Sequence, residues 1–201
     1  MASRKRWTPE ESRTAALEAA RSLLIEAGPQ AVTLKAVAGR IGRTHANLLH
    51  HFGSAAGLQR ELAGHLAQTV CESVAEAVRA TRAGLGTPRE IVDIAFDAFE
   101  HEGGGALVSW MLATGHEDAI EPFVETIHSM VDALNPEEDG HIEAMTAHQV
   151  THTVVLLALG QSLMGVPLAR SLRLPESTAR DIAERFVVED LVGRHQAASE
   201  A

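Results

Sequence analysis

The segment Thr33–Ser54, TLKAVAGRIGRTHANLLHHFGS, decides the fold prediction for this chain. Its first part repeats apolar residues at the i, i+3, i+4, i+7 spacing of one helix face: Leu34, Val37, Ala38 and Ile41. Gly42 follows at once, where a left-handed residue would reverse the chain direction. Thr44 is typical of a residue that caps the next helix. The segment therefore predicts two short helices around a tight turn.

The second of these helices separates apolar from polar side chains. The side chains predicted to be buried are Leu48, Leu49 and Phe52. The side chains predicted to face solvent are His45, Asn47, His50 and His51. Two helices around a turn, with polar groups on the second, form the shape that enters the major groove of DNA.

Together with the upstream helix Leu17–Gly28, this segment resembles the N-terminal domain of the TetR family of bacterial transcription regulators. The matching or near-matching positions are Thr33, Val37, Ala38, Gly42, Thr44, Leu48, His51 and Phe52. The departures are Leu49 for the usual phosphate-contacting Tyr, Gly53 for the usual Lys, and Arg43 for a small apolar residue. The resemblance covers about the first 60 residues and implies a DNA-binding head.

Residues for DNA contact follow from this placement. Those predicted to face the groove are Thr44, His45, Asn47 and His50, and Asn47 has the amide that pairs with adenine. Those predicted to touch phosphate are Thr33, Lys35 and Arg43. The arm Arg4, Lys5 and Arg6 is predicted to enter the minor groove, with a solvated tail as the alternative interpretation. The charge distribution favours DNA contact, because residues 1–60 carry a net +5 and residues 61–201 a net −15, giving −10 overall.

Helical patterns also fill the rest of the chain, which predicts an all-α protein. Two capping boxes, beginning at Thr8 and Thr87, mark helix starts. The resemblance implies a three-helix helix-turn-helix DNA-binding domain over residues 1–54. It also implies a C-terminal helical domain for ligand binding and dimerisation over residues 55–201.

The resemblance further implies that the last two long helices pair with those of a second copy. The predicted interface residues are Val150, Val154, Leu157, Ala158, Gln161, Ile182, Phe186 and Leu191. The middle helices are expected to enclose a pocket for a small, largely apolar ligand. Its predicted lining is Phe96, Phe99, Trp110, Met111, Phe123, Ile127, His128, Met145, His148, Thr151, His152 and Leu156. For both sets, plain hydrophobic core is the alternative interpretation.

The sequence contains eleven histidines, of which His148 and His152 have the i, i+4 spacing of metal ligands. Gln149 stands where the zinc-protease motif has its Glu general base, so an enzyme is not predicted. Polar groups of the pocket or interface are the favoured interpretation, and neither a metal nor a cofactor is predicted. A metal-sensing site with His128, His141 or Glu143 as third ligand remains an alternative.

A cytoplasmic protein without a membrane segment is expected. Cys71 is the only cysteine, the N-terminus lacks the apolar core of a signal peptide, and the longest apolar stretch, Val154–Leu159, is far below about 20 residues. The predicted function is a ligand-responsive regulator, a repressor, that binds double-stranded DNA at a palindromic operator as a homodimer. The alternative, favoured by Leu49 and Gly53, is a dimeric helical small-molecule or metal sensor with a weakened or lost DNA-binding role.

Overall fold

A computed structural model describes residues 8–115, 120–135 and 146–200, and over these residues it contains helices and no strand. The helices are α1 Pro9–Ala27, α2 Leu34–Arg40, α3 His45–Phe52, α4 Ala55–Arg82, α5 Pro88–Glu100, α6 Gly104–Ala113, α7 Glu121–Leu134, α8 Ala147–Gly160, α9 Val166–Leu172 and α10 Thr178–Glu200. A 3₁₀ turn, Pro29–Ala31, follows α1, and a π turn, Gln161–Gly165, joins α8 to α9. The predicted all-α class is confirmed.

The first helix and α5 begin at the two predicted capping boxes. The Thr8 hydroxyl accepts a hydrogen bond from the Glu11 backbone N–H at 3.1 Å, and the Glu11 carboxylate accepts one from the Thr8 N–H at 2.8 Å. Thr87 and Glu90 make the same reciprocal pair. Each box satisfies backbone donors that a helix start leaves without an intrahelical acceptor.

The helices divide into two compact units. The first comprises the chain as far as His65 together with Ala106–Pro122, and the second comprises Leu66–Gly105 together with the chain from Phe123 onwards. Helix α4 contributes residues to both. In the first unit, the side chains most completely removed from water include Val32, Val37, Leu48, Leu58 and Leu62. Their burial supplies the hydrophobic stabilisation that holds α2 and α3 in place.

The core of the second unit lies where α5, α8 and α10 pack together. Its buried residues are Ile91, Val92, Phe96, Phe99, Val150, Val154, Ala158, Ala183 and Val187. Leu157, Phe186 and Leu191 pack against this core while partly buried. The prediction of Val150, Val154 and Ala158 as dimer-interface residues is therefore corrected. Helix α8 turns these side chains toward α5 and α10 of its own chain, and an apolar stripe in a sequence does not specify which neighbour covers it.

A second correction concerns the apolar run from α8 to α9. The prediction that no segment approaches bilayer length is wrong, because α8, the π turn and α9 continue as one helical run, Ala147–Leu172, long and apolar enough to cross a membrane. Length and composition alone are weak evidence for a membrane span. Only 17 % of the most apolar window of this run is buried in the chain. The exposed large apolar residues here are Leu156, Leu163, Met164, Val166, Leu168 and Leu172.

Arg180 ties α10 to α5 through a cluster of charges. Its guanidinium donates hydrogen bonds to Asp93 at 2.8 Å, to Asp97 at 2.7 Å and to Glu100, and lies 5.1 Å from the Phe96 ring centre. Burial opposes ionisation of Asp97, but the hydrogen bond and charge of Arg180 outweigh it and lower the pKa of this carboxyl. The Arg180 side chain is 15 % exposed, so solvent screens these interactions only in part.

Replacing this guanidinium should weaken the second unit. We expect Arg180→Met to lower the free energy of unfolding by about 1–3 kcal/mol at pH 7, because three carboxylates lose their shared partner. The stabilisation from Asp97 is complete above the ordinary carboxyl pKa of about 4 and is lost as pH falls through the lowered pKa. The deficit should therefore shrink in acid. Urea denaturation at several pH values measures it, and a loss no larger than that of the exposed control Arg170→Met would contradict this account.

Candidate functional site

The turn between α2 and α3 is built by backbone hydrogen bonds around Gly42. The Arg43 N–H donates to the Ala38 carbonyl at 2.8 Å, and the Gly42 N–H donates to the Gly39 carbonyl at 3.3 Å. This pair of bonds is the Schellman arrangement, which places a left-handed residue just after the helix. Gly42 has φ +66°, as the sequence predicts. Thr44 then caps α3, because its hydroxyl accepts a hydrogen bond from the Asn47 N–H at 3.2 Å.

Helix α3 presents one face to the protein and the other to solvent. Leu48 and Phe52 are buried, as predicted. The prediction that Leu49 is also buried is wrong, because 43 % of its side chain is exposed. The physical reason is the 100° step between residues, which turns position 49 away from a buried stripe at 48 and 52. The exposed face consists of His45, Ala46, Leu49 and His50.

Asn47 lies at the border between the two faces of α3. It is half-buried, and its Oδ1 is buried without a hydrogen-bond partner among the described residues. A buried amide oxygen without a partner costs free energy. The Asn47 side chain therefore has an unmet hydrogen-bond acceptor.

The predicted phosphate-contacting residues lie around the start of α2 and the turn. Thr33 is exposed, and its hydroxyl caps α2 by accepting from the Ala36 N–H at 3.2 Å. Lys35 is exposed and Arg43 is half-buried. The predicted arm residues Arg4, Lys5 and Arg6 lie outside the described residues.

Gly57 allows the start of α4 to approach the end of α3 closely. A Cβ at this position would collide with the carbonyl oxygen of Phe52. The Ser54 hydroxyl accepts a hydrogen bond from the Gly57 N–H at 2.9 Å and so caps α4. This packing holds α3 between α2 and α4 and leaves its outer face uncovered within the first unit.

A cavity of about 140 Å³ lies in the second unit. Its walls come from α4, α5, α7, α8 and α10, and they are mostly aliphatic. Arg82, Glu102, Asn135, Thr151 and Asp190 supply the polar and charged lining. Arg82 holds the end of α7, because its guanidinium donates to the Leu134 carbonyl and to Asn135 Oδ1, both at 2.7 Å.

The predicted pocket residues divide into three groups. Those that line the cavity are Phe99, Phe123, Ile127 and Thr151. Those that do not are Phe96, which is core, Met111, which is buried elsewhere, and the exposed Trp110, His128, His148, His152 and Leu156. Met145 lies outside the described residues. The imidazoles that the sequence suggests as polar lining are therefore on the surface.

Much of the cavity wall consists of residues that the sequence did not mark as pocket lining. Helix α4 contributes Leu66, Ala67, Val70, Cys71, Val74 and Val78, and α10 contributes Val187, Asp190 and Leu191. An apolar residue in a cavity wall has the same sequence pattern as one in a filled core, so no sequence signal separates them. Burial, and secondarily the charge of Glu72, raise the pKa of the Cys71 thiol to about 11. The thiol is therefore protonated at neutral pH and weakly reactive.

The residues of the helix-turn-helix match a known protein family. Residues 16–62 match the profile of "Bacterial regulatory proteins, tetR family". These residues include α2, the Gly42 turn and α3. The N-terminal segment belongs to the TetR family. No curated protein matches the sequence.

Solved structures with a similar fold extend over nearly the whole chain. A protein assigned to the TetR-family transcriptional regulators from Mesorhizobium loti MAFF303099 is 14 % identical, with a TM-score of 0.59, covering 93 % of this chain and 98 % of its own. One from Rhodococcus sp. is 16 % identical, with a TM-score of 0.58, covering 89 % and 97 %. The multidrug binding protein EbrR is 18 % identical, with a TM-score of 0.54, covering 88 % and 94 %.

These findings identify the head of the chain and its fold. Residues 16–62 form a TetR-family DNA-binding segment, and the fold found in solved TetR-family transcription regulators extends over the C-terminal helical region. The family consists of regulators and not of enzymes, so the prediction that this chain is not an enzyme is confirmed. Within the TetR segment, Leu49 and Gly53 are departures from the family pattern, because both stand where that pattern has phosphate-directed side chains.

The Gly42 turn can be tested against a matched glycine on α2. We expect Gly42→Ala to lower the free energy of unfolding by about 1–2 kcal/mol, because a Cβ is strained at positive φ. Gly39→Ala, in a helical position with open space around a new Cβ, should instead raise it by up to about 1 kcal/mol. Urea denaturation compares the two, and effects of equal sign would refute this explanation of the turn.

Proposed function

We propose that this protein is a ligand-responsive TetR-family repressor that binds a palindromic operator as a homodimer and acts in the cytoplasm. The head comprises residues 1–54, and the ligand-binding and dimerisation region comprises residues 55–201. The observation that carries the proposal is that the first unit has an uncovered α3 face and the second unit has an apolar cavity. An unknown small ligand in the cavity shifts the population that fits DNA.

The uncovered face of α3 supports the choice of DNA-reading residues. His45 and His50 are both exposed and lie five residues apart on α3, and Thr44 is exposed at the start of the helix. Lys35 and Thr33 are exposed at the start of α2, where backbone contacts would orient the head. Arg43 and the arm Arg4, Lys5 and Arg6 complete the proposed phosphate and minor-groove contacts, and Asn47 the proposed contact to adenine.

Dimerisation is supported by the apolar face that the chain leaves exposed. Leu163, Met164 and Leu172 are each more than half exposed along the run from α8 to α9. Contiguous apolar surface of this kind on a protein in water marks an interaction site. We propose that a second copy covers it, with the half-buried Gln161, Ile182, Phe186 and Leu191 at its border. Two heads related by a two-fold axis would read the two halves of a palindrome.

The cavity sets the size of the proposed ligand. About 140 Å³ is close to the roughly 150 Å³ of an engineered apolar cavity that binds benzene. A ligand the size of one aromatic ring fits without change, while a larger one requires α7 or α8 to move. The similarity of fold to EbrR, a multidrug binding protein, agrees with an apolar ligand.

The first experiment is DNA selection with the full-length chain against random duplexes at about 0.15 M salt. We expect an enriched palindrome whose half-site spacing reports the distance between the two heads. On that site, the double variant His45→Ala/His50→Ala should lose about tenfold or more in affinity, because base-edge contacts are lost. The exposed His152→Ala, in the second unit, serves as the control and should bind unchanged.

The alternative function gives a different pattern in the same experiment. If folded wild-type protein enriches no sequence, the loss of the family's Tyr at Leu49 has cost the head its role. Because Leu49 is exposed, Leu49→Tyr disturbs no buried contact and should then restore enrichment. If neither protein enriches a site, the protein is a helical sensor without DNA binding and the proposed function is wrong.

Cavity occupancy can be tested with benzene as the probe. We expect Ala98→Phe, in the cavity wall, to abolish benzene binding seen by NMR, because the new ring fills the space. Ala133→Phe, exposed on α7, adds the same ring outside the cavity and should leave binding unchanged. Equal benzene binding by both variants would show that the probe occupies another place.

A further inference from the structure

Two histidines and an aspartate meet on the surface of the second unit, away from the cavity lining. His128 and Asp132 lie on α7, and His148 lies on α8. One donor atom from each lies within 4.8 Å of the others. His148 Nε2 is 2.9 Å from Asp132 Oδ1, and His128 Nε2 is 3.3 Å from Asp132 Oδ2. The two imidazole ring centres are 5.8 Å apart.

We propose that His128, Asp132 and His148 form a binding site for a divalent transition-metal ion such as Zn²⁺. Imidazole nitrogen and carboxylate oxygen are ordinary zinc ligands, at about 2.0–2.2 Å from the metal. Two such ligands at a tetrahedral angle are about 3.4 Å apart. The observed separations of 2.9 and 3.3 Å lie near this value. The third pair of donors lies within 4.8 Å, so binding of an ion requires the exposed His128 ring to rotate.

The chemistry of the three groups is compatible with a bound cation. An ion between them would replace the imidazole–carboxylate hydrogen bonds, and each imidazole would carry its proton on Nδ1. Three protein ligands leave at least one coordination position open. The net charge of −15 over residues 61–201 also attracts cations to this part of the chain.

The site differs from the one suggested by sequence spacing. His152 has the i, i+4 relation to His148, yet the group of converging donors contains His128 and Asp132 from another helix instead. A metal at this place would therefore fasten α7 to α8. The same two helices supply cavity-lining residues, among them Val131 and Thr151, so a bound ion would restrain the cavity walls.

The test is zinc titration of the full-length, tag-free chain by calorimetry. We expect one Zn²⁺ per chain, a rise in Tm of roughly 5 °C at a hundredfold excess over Kd, and slower hydrogen exchange in α7 and α8. His128→Ala, Asp132→Asn and His148→Ala should each weaken binding by about tenfold or more. Because all three side chains are exposed, the metal-free variants should retain the wild-type Tm.

Matched controls separate this site from other zinc binding. His152→Ala and His101→Ala remove exposed histidines outside the group and should leave affinity unchanged. Loss of binding in His152→Ala but not in His128→Ala would assign the metal to the i, i+4 pair and overturn the proposal. Absence of zinc binding by the wild-type chain up to about 0.1 mM would also overturn it.

Discussion

Burial of Leu48 and Phe52 on one side of α3 is the constraint on which the DNA-binding head depends. Both side chains enter the core of the first unit, so the helix cannot rotate without exposing them to water. The opposite side of the helix is thereby fixed toward solvent. The Gly42 turn and the Thr44 cap set where this helix begins, and Gly53, with φ +71°, ends it. Side chains on the outer side of α3 can therefore vary without loss of the fold.

The second unit uses one set of apolar side chains for two purposes. Ile91, Phe99, Val150, Val154 and Val187 belong to the core between α5, α8 and α10, and they also line the cavity. The cavity is thus a part of the core that side chains leave unfilled. Such a gap forgoes dispersion contacts, and a ligand that fills it recovers them. The charge cluster around Arg180 holds α5 and α10 together on another side of the same core.

Prediction from sequence succeeded where the signal is local. Cap residues, the left-handed glycine and the apolar spacing of α2 each act within a few residues, so the sequence suffices to place α1, α2, α3 and α5. It failed where a partner from a distant part of the chain decides the outcome. Val154 fits a dimer face but lies in the chain's own core. The error at Leu49 is different, because the 100° step between helix residues already turns this side chain away from the buried stripe at 48 and 52.

The sequence by itself determined the helix-turn-helix, the family of its head and the all-α class. Hydrophobic periodicity, helix capping and turn geometry depend only on residues that are close together in the sequence. Only the tertiary structure decided which apolar residues surround a cavity, which remain exposed, and which histidines meet. His148 illustrates the difference: its sequence neighbour in helical spacing is His152, but packing of α7 against α8 places it beside Asp132 and His128. Contacts between helices depend on three-dimensional packing, which residue spacing along one helix does not contain.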